Sequence, residues 1–296
     1  METLNKCPSC ENTIFQDFIR CKDNTVSNEI FEIVKCNACE LLFTNPRPKI
    51  DDLGKYYESN EYISHTSSNK GWFNRLYKIA RFVNIRSKLT TIGNKRGNLL
   101  EIGSGTGELL DACKKAGWTT TGVEPSDRAR INAKKNLNLN LIEDVDKAEL
   151  KDKSQDIIMM WHVLEHVPNL KETTEKIRKL LKDDGTIIIA VPNYKSYDAK
   201  HYKENWAAYD VPRHLLHFDK TTMAKALNKS GFKIIETKAM WLDSIYVSML
   251  SEKIKTGRRN TLKAIGVGML SNLNGIFKTK EYSSVIYVAK KDFKKL

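Results

Sequence analysis

Three glycines at alternate positions, Gly103, Gly105 and Gly107, follow one carboxylate, Glu101, and precede another, Glu124. Glycine lets a backbone adopt positive φ and come close to a ligand, so this run has the makings of a cradle. A dinucleotide asks for G-x-G-x-x-G with its pyrophosphate at the following helix N-terminus. The segment E-I-G-S-G-T-G is instead G-x-G-x-G preceded by an acid. An acid beside the loop repels phosphate and attracts a cation, which favours a positively charged cofactor. Glu124 stands where a carboxylate meets ribose hydroxyls in a βαβ nucleotide site.

A second constellation is made of thiols. Cys7-Pro8-Ser9-Cys10 and Cys36-Asn37-Ala38-Cys39 are two C-x-x-C knuckles with 25 residues between them. Two thiolates from each of two turns complete a closed tetrahedral shell for structural zinc, and a segment this short has little core of its own without one. A disulfide or thioredoxin-type redox pair is the alternative. Cys21 reads as a spare buried thiol and Cys113 as a core residue.

These residues need elements to hold them. Leu99 to Ile102 reads as a strand, the glycines as a tight turn, and Leu109, Leu110 and Ala112 as the apolar side of a helix. Thr119 to Val123 is a second strand. A helix over Asp127–Asn136, capped by Ser126 or Asp127, leads to a third strand, Leu137–Ile142, closed by Glu143-Asp144. Gln155–Met160 is a buried strand ending at Trp161 and His162; a helix runs through Ile177 and Leu180-Leu181, and Thr186–Val191 is the fifth strand. Thr221–Ser230 is a helix capped by Gly231, Phe232–Thr237 a sixth strand and Val285–Ala289 a seventh. This is an α/β, doubly wound, seven-stranded Rossmann-like sheet, in which ligands sit at the carboxyl ends of the strands. Ahead of it, Phe15–Arg20 and Ile30–Val34 are β-like, Asp51 or Asp52 caps a short helix bearing Tyr56 and Tyr57, and Trp72–Ile92 has helical spacing.

Length and composition set bounds. With 296 residues, 41% of them hydrophobic, the chain can hold one sizeable α/β domain and a small module. The expected division is a zinc-ribbon-like module at 1–45, a linker and helices over the cofactor at 46–97, and a catalytic domain at 98–296 with insertions at 194–218 and 241–284. The net charge of +13 comes from Lys spread along the chain. It suits nucleic acid, an anionic membrane surface or a phosphorylated substrate, and equally a solvated surface. No apolar run reaches membrane-spanning length and the first residues lack a signal-peptide core, so a cytoplasmic location is expected. The 241–284 insertion carries the apolar run I-Y-V-S-M-L, basic residues Lys253, Lys255, Arg258 and Arg259, and an apolar helix over Leu262–Phe277. It leaves open a homo-oligomer contact, a roof over substrate, or peripheral membrane contact.

The segment from Leu99 to Glu124 resembles motif I of the class I S-adenosylmethionine-dependent methyltransferases. The run W-H-V-L-E-H-V from Trp161 to Val167 resembles the segment after their fourth strand, and L-K-D-D-G from Leu181 to Gly185 stands where L-K-P-G-G is common, without its proline. The resemblance implies S-adenosylmethionine as cofactor. Glu101, Gly103, Ser104, Gly105 and Gly107 would hold its methionine part and Glu124 its ribose. Asp144, or else Glu143, would meet the adenine amino group, with Trp161 and His162 beside the adenosine. Segments before the first strand often lie across the cofactor in this family, which makes Tyr56, Tyr57 and Tyr62 lid candidates, with aromatic packing under the ribbon as the alternative.

The insertion pattern W-x-x-Y-D-x-P-R-H-L-x-H-F, from Trp206 to Phe218, is similar to members acting on cell-surface glycans and quinone-type acceptors. It implies His214, His217, Arg213, Tyr209 and Asp210 as substrate-side residues. His166, His214 and His217 are the catalytic candidates, needed as bases only if the acceptor arrives protonated. A third metal ligand at suitable spacing does not join His214 and His217. Sugar C-methyltransferases carry a similar cysteine module, usually with a further C-terminal domain. Some ribosomal RNA methyltransferases also pair a ribbon with this domain, but no N/D-P-P-Y signature is present here. The expected function is methyl transfer to a small-molecule, sugar or lipid-linked acceptor. The alternatives are an RNA methyltransferase and a non-catalytic scaffold.

Overall fold

In the computed structural model, which describes residues 1–57, 83–258 and 260–293, the cysteine-rich N-terminus forms a small antiparallel sheet. Its strands are β1 (Phe15–Lys22), β2 (Ile30–Cys36) and β3 (Leu42–Thr44). A 3-10 helix, Ile50–Tyr57, comes next. Residues 83–92 are helical; the rest of the helix expected from Trp72, like the lid candidate Tyr62, lies outside the described residues.

The larger sheet begins with β4 (Asn98–Ile102), then α1 (Glu108–Lys115), β5 (Thr119–Val123) and α2 (Asp127–Leu137). It continues with β6 (Gln155–Trp161), α3 (Leu170–Leu180) and β7 (Leu181–Pro192). Next come α4 (Tyr197–Tyr202), β8 (Leu216–His217), α5 (Lys220–Lys229) and β9 (Phe232–Ala239). The chain closes with α6 (Trp241–Thr256), α7 (Thr261–Asn274) and β10 (Ser284–Lys291). The strand order is β5-β4-β6-β7-β10-β9. β5, β4, β6 and β7 are parallel, and β10 runs antiparallel to both neighbours. Strands covered by helices on both faces read as unbroken apolar runs; in β6, Ile158, Met159 and Met160 are wholly buried.

Two expectations about this sheet change. Leu137–Ile142 is not a strand. α2 runs to Leu137, Asn138 ends it in the left-handed conformation, and only Ile142 bridges Val123. The bridge has Glu124 N–H donating to the Ile142 carbonyl at 2.8 Å and Ile142 N–H to Gly122 at 2.9 Å. The expected third strand is thereby reduced to one rung, and the large sheet has six strands among the described residues. Leu181–Gly185, read as a turn before the fifth strand, belongs to β7. Its register against β6 jumps from Gln155↔Leu181 to Ile157↔Thr186, so the proline-free segment bulges within the strand.

The 194–218 insertion is integral to the N-terminal module. β8, drawn from it, pairs with β3 and makes the small sheet four-stranded, in the order β1-β2-β3-β8. Below that sheet Phe31, Ile33 and Leu42 pack with Tyr202, Trp206, Tyr209 and Val211. Neither partner covers its apolar face alone, and together they close one core. Asp198 ties the far side, accepting from Trp206 Nε1 at 2.8 Å, Ser271 Oγ at 2.6 Å and Ser283 Oγ at 2.7 Å while fully buried.

Candidate active site

The carboxyl end of β4 turns sharply into α1. Gly103, Gly105 and Gly107 all take positive φ, 75°, 54° and 82°. A Cβ on Gly103 would lie 2.3 Å from Val163 Cγ2 and one on Gly107 2.8 Å from Leu139 Cδ1, whereas one on Gly105 would meet nothing within 4 Å. Two glycines are thus demanded by packing and conformation, and the middle one leaves its backbone open. Gly107 caps α1 without a side-chain acceptor, so the helix starts with its own N–H groups directed at the loop.

Glu101 lies beneath this loop, 3% exposed, and its Oε2 has no hydrogen-bond partner among the described residues. Burial pushes its carboxyl up to about 8, Lys88 opposes that, and Glu124 adds to it. The free protein therefore keeps this group protonated at neutral pH, and ionising it costs free energy until a charged donor reaches it. A ligand ammonium would be such a donor, so the residues present fit a cationic cofactor. Glu124 accepts from Gly105 N–H at 2.8 Å and Ser126 N–H at 2.9 Å, at the rim of the loop. Asp144 is exposed and caps the turn Val145–Ala148 through Asp146 N–H. Glu143 pairs with Lys147.

At the end of β6, Trp161 is 7% exposed, and Lys88 Nζ sits 4.6 Å from its ring centroid, a cation–π distance. His162 has φ 55° and a ring a third exposed. Its Nδ1 is 3.3 Å from Glu165 Oε1 and its Nε2 3.0 Å from Asp243 Oδ2. Burial alone would lower its pKa, but the Asp243 and Glu165 carboxylates raise it to about 10, so the ring is held as an imidazolium in ion pairs with both. Sequence reasoning missed Lys88 and Asp243. Lys88 stands next to Leu89 on the helical stripe, and Asp243 comes from the first turn of α6, where a lone acid reads as a helix-start residue.

Beside this lie Glu165, His166 and His214, one ligand atom of each within 4.8 Å of the others. The two imidazole rings meet edge to face at 4.6 Å. Burial and His214 push His166 down to about 4, leaving it neutral. Its Nδ1 is 3.0 Å from the Arg213 carbonyl and from the Tyr57 hydroxyl, which brings Tyr57 to the cluster. His214 Nδ1 is 2.9 Å from the Ala208 carbonyl. Tyr56 turns away, donating to Glu29 at 2.9 Å and packing edge-on to Phe31.

The remaining substrate-side candidates are placed in the joint with the small sheet. His217 is 4% exposed, its Nε2 3.2 Å from Thr44 Oγ1, which itself donates to the His214 carbonyl at 2.8 Å. Arg213 donates to Asp23 at 2.9 Å and to Asp210 at 2.7 Å. Tyr209 is buried against Trp206. These residues bind one part of the chain to another.

The four knuckle cysteines converge as expected: all carry free thiols, with Cys7 and Cys39 Sγ 3.5 Å apart and Cys10 and Cys36 Sγ 3.4 Å apart. A tetrahedral zinc with Zn–S near 2.3 Å needs sulfurs about 3.8 Å apart, so the set fits zinc with little movement. Cys21 and Cys113 are buried apart from it.

Comparison with known proteins agrees with this geometry. An S-adenosylmethionine-dependent methyltransferase from Archaeoglobus fulgidus is 22% identical, aligned over 75% of this chain and 100% of its own, with TM-score 0.50. A cyclopropane synthase from Mycobacterium tuberculosis is 12% identical over 71% of this chain and 84% of its own, with TM-score 0.51. At such identities the likeness is one of fold. No curated protein matches the sequence. Residues 73–237 match the family described as Methyltransferase domain, and with more than half of its length inside that match the chain belongs to this family of S-adenosylmethionine-dependent methyltransferases.

Proposed function

We propose that the chain methylates a small-molecule, sugar or lipid-linked acceptor. The observation that carries the cofactor half of this reading is the unpartnered Glu101 carboxyl under an open Gly105. S-adenosylmethionine supplies a methyl group already activated on a sulfonium. Glu101 would take its ammonium, and Gly103, Ser104, Gly105 and Gly107 would line its methionine part. Glu124 would exchange the Gly105 N–H for the ribose hydroxyls, Asp144 would meet the adenine amino group, and Trp161 would cover the adenosine. His162, locked between Glu165 and Asp243, would hold that wall in place as a cation. The cysteine tetrad would hold a structural zinc.

On the acceptor side, His166 is neutral and half-buried beside Glu165 and His214. It would receive the acceptor's proton, with the Glu165 carboxylate stabilising the imidazolium formed. Holding the nucleophile in line with the methyl group and excluding water supplies most of the acceleration. RNA would need exposed aromatics for its bases to stack on. Of the insertion's aromatics, Tyr202, Trp206, Tyr209 and Phe218 are at most 4% exposed and Tyr194 and Tyr197 are half-buried, so the insertion offers bases no open stacking platform, which favours a small acceptor.

Calorimetry of the zinc-loaded protein with S-adenosylmethionine should give one site per chain, and absence of heat would sink the reading. Tritiated-methyl transfer to fractionated cell extract should then label nuclease-resistant material; counts in the nuclease-sensitive fraction would turn the acceptor to RNA.

A further inference from the structure

The hairpin of α6 and α7 is packed inside out for a water-facing element. Its buried side is rich in small residues, Ser244, Ser248 and Ser251 from α6 with Ala264, Gly268 and Ser271 from α7, beside Val247, Val267 and Glu252. A Cβ on Gly268 would lie 2.7 Å from Ile245 Cα, so the two backbones nearly touch there. The large apolar side chains point the other way. On α7 and the turn after it Leu262, Met269, Leu270, Leu273 and Phe277 are 85%, 56%, 51%, 47% and 78% exposed, at spacings that line one helix face. Leu242, Tyr246 and Leu250, four residues apart, form an exposed row on α6, and Trp241, 47% exposed, packs edge-on to Tyr282. Small residues inside and large apolar ones outside is the pattern of helices solvated by lipid.

Charge selects the occupant. Residues 241–280 hold seven basic residues and two acids, Asp243 and Glu252. Neither acid is available at the surface: Asp243 pairs with His162, and Glu252, 1% exposed, with Lys263. Lys255 and Arg258 are exposed at one end of the apolar face and Lys278 and Lys280 at the other. A second copy docking by two-fold symmetry would set this patch against itself, bringing cations together with no exposed acid of the hairpin between them. An anionic bilayer would take the apolar face and neutralise both ends. Neither helix is long and apolar enough to cross a membrane.

We propose that the α6–α7 hairpin seats on an anionic lipid surface, so that the methyl-donor site faces an amphiphilic acceptor held in that leaflet. The hairpin is coupled to the site at its first turn, where Asp243 grips His162 and Met240 packs in the cluster that contains Trp161. The lipid-bound state rests on the patch alone; the assignment of an amphiphilic acceptor rests on the proposed methyl transfer.

The test is sedimentation of the zinc-loaded full chain with vesicles of phosphatidylcholine alone or mixed with phosphatidylglycerol. Binding should require phosphatidylglycerol and fall in about 1 M salt, where the screening length is about 3 Å. Leu262→Ser with Phe277→Ser, at exposed positions that leave the fold intact, should weaken it at least about tenfold. Lys255→Glu with Arg258→Glu should do likewise. Calorimetry with S-adenosylmethionine should be unchanged in these variants. No sedimentation, equal sedimentation with both vesicle types, or a concentration-dependent dimer that the same substitutions dissolve would overturn the inference. Absence of S-adenosylmethionine binding in the parent protein would refute the methyltransferase site and leave the vesicle result standing.

Discussion

The Arg213 guanidinium, 1% exposed, donates to the carboxylate of Asp23, 0% exposed, across 190 residues of chain at 2.9 Å. Asp23 also accepts from Thr25, Val26 and Ser27 N–H groups, and Arg213 reaches Asp210 and the Tyr56 carbonyl. The charges of Arg213, Asp23 and Asp210 are all paired, so the joint fixes the small sheet upon the insertion that also carries His214.

Breaking that pair strands a charge in a dry interface. Arg213→Met should cost about 3–5 kcal/mol, read from urea denaturation. Because the core under the small sheet is shared, fluorescence from the buried Trp206 and a thiol-reactivity probe of the cysteines should report the same midpoint. Separate transitions would mean that the module folds alone.

Removing the metal should propagate along the same route. Lys225 Nζ donates to the Cys39 carbonyl at 3.2 Å and Lys229 Nζ to the Ser9 carbonyl at 2.8 Å, so the knuckles are tied to α5. Chelation, or Cys36→Ser, should lower the melting temperature of the whole protein and release one zinc per chain. A melt insensitive to chelator would exclude a structural ion there.

Glu101 sets a pH dependence. Folded, its carboxyl is at about 8 against an ordinary 4.5, so from pH 5 to 8 the unfolded chain gives up a proton that the folded chain keeps. Stability therefore falls as pH rises through that window and levels off above it; Glu101→Gln should remove the slope and be the more stable protein at pH 8. At pH 6.5 the donor's amino group is already charged, so binding must ionise Glu101 and release close to one proton. Calorimetry in buffers of different ionisation enthalpy measures this. The Gln variant should release none and bind about 10–100-fold more weakly, the loss of a hydrogen bond to a charged group of about 1.5–3 kcal/mol.

The glycine turn and the carboxylates on either side of it were legible because they are local. A glycine loop, the acid before it and the acid after the next strand lie within 24 residues, and strand, turn and helix patterns place them. The cysteine tetrad was legible for the same reason: each knuckle is one turn. The surroundings of the histidines were not, because they are assembled from distant pieces. No local pattern tells that His217 faces Thr44, that Arg213 pairs with Asp23, or that Asp243 meets His162. Leu137–Ile142 misled for a related reason: its strand-like alternation is real, but Asn138 ends α2 and leaves room for one bridge only.

The three histidines should separate by what their loss does. His166 is neutral and near the strand end, so His166→Asn should lower kcat by about 10²–10⁴ while S-adenosylmethionine affinity and the melting temperature stay put. His217 is kept well below its ordinary pKa by burial and by His214, and it donates to Thr44 in the joint. His217→Asn should therefore cost about 1–3 kcal/mol of stability and leave the remaining folded protein's kcat near wild type. The pH profile gives an independent readout. With His166 held down to about 4, the acid limb of the rate should lie well below the usual histidine range, because protonation there, and not near 6.5, removes the lone pair. An acid limb at 6–7 that disappears in His214→Asn and survives in His166→Asn would move the base to His214.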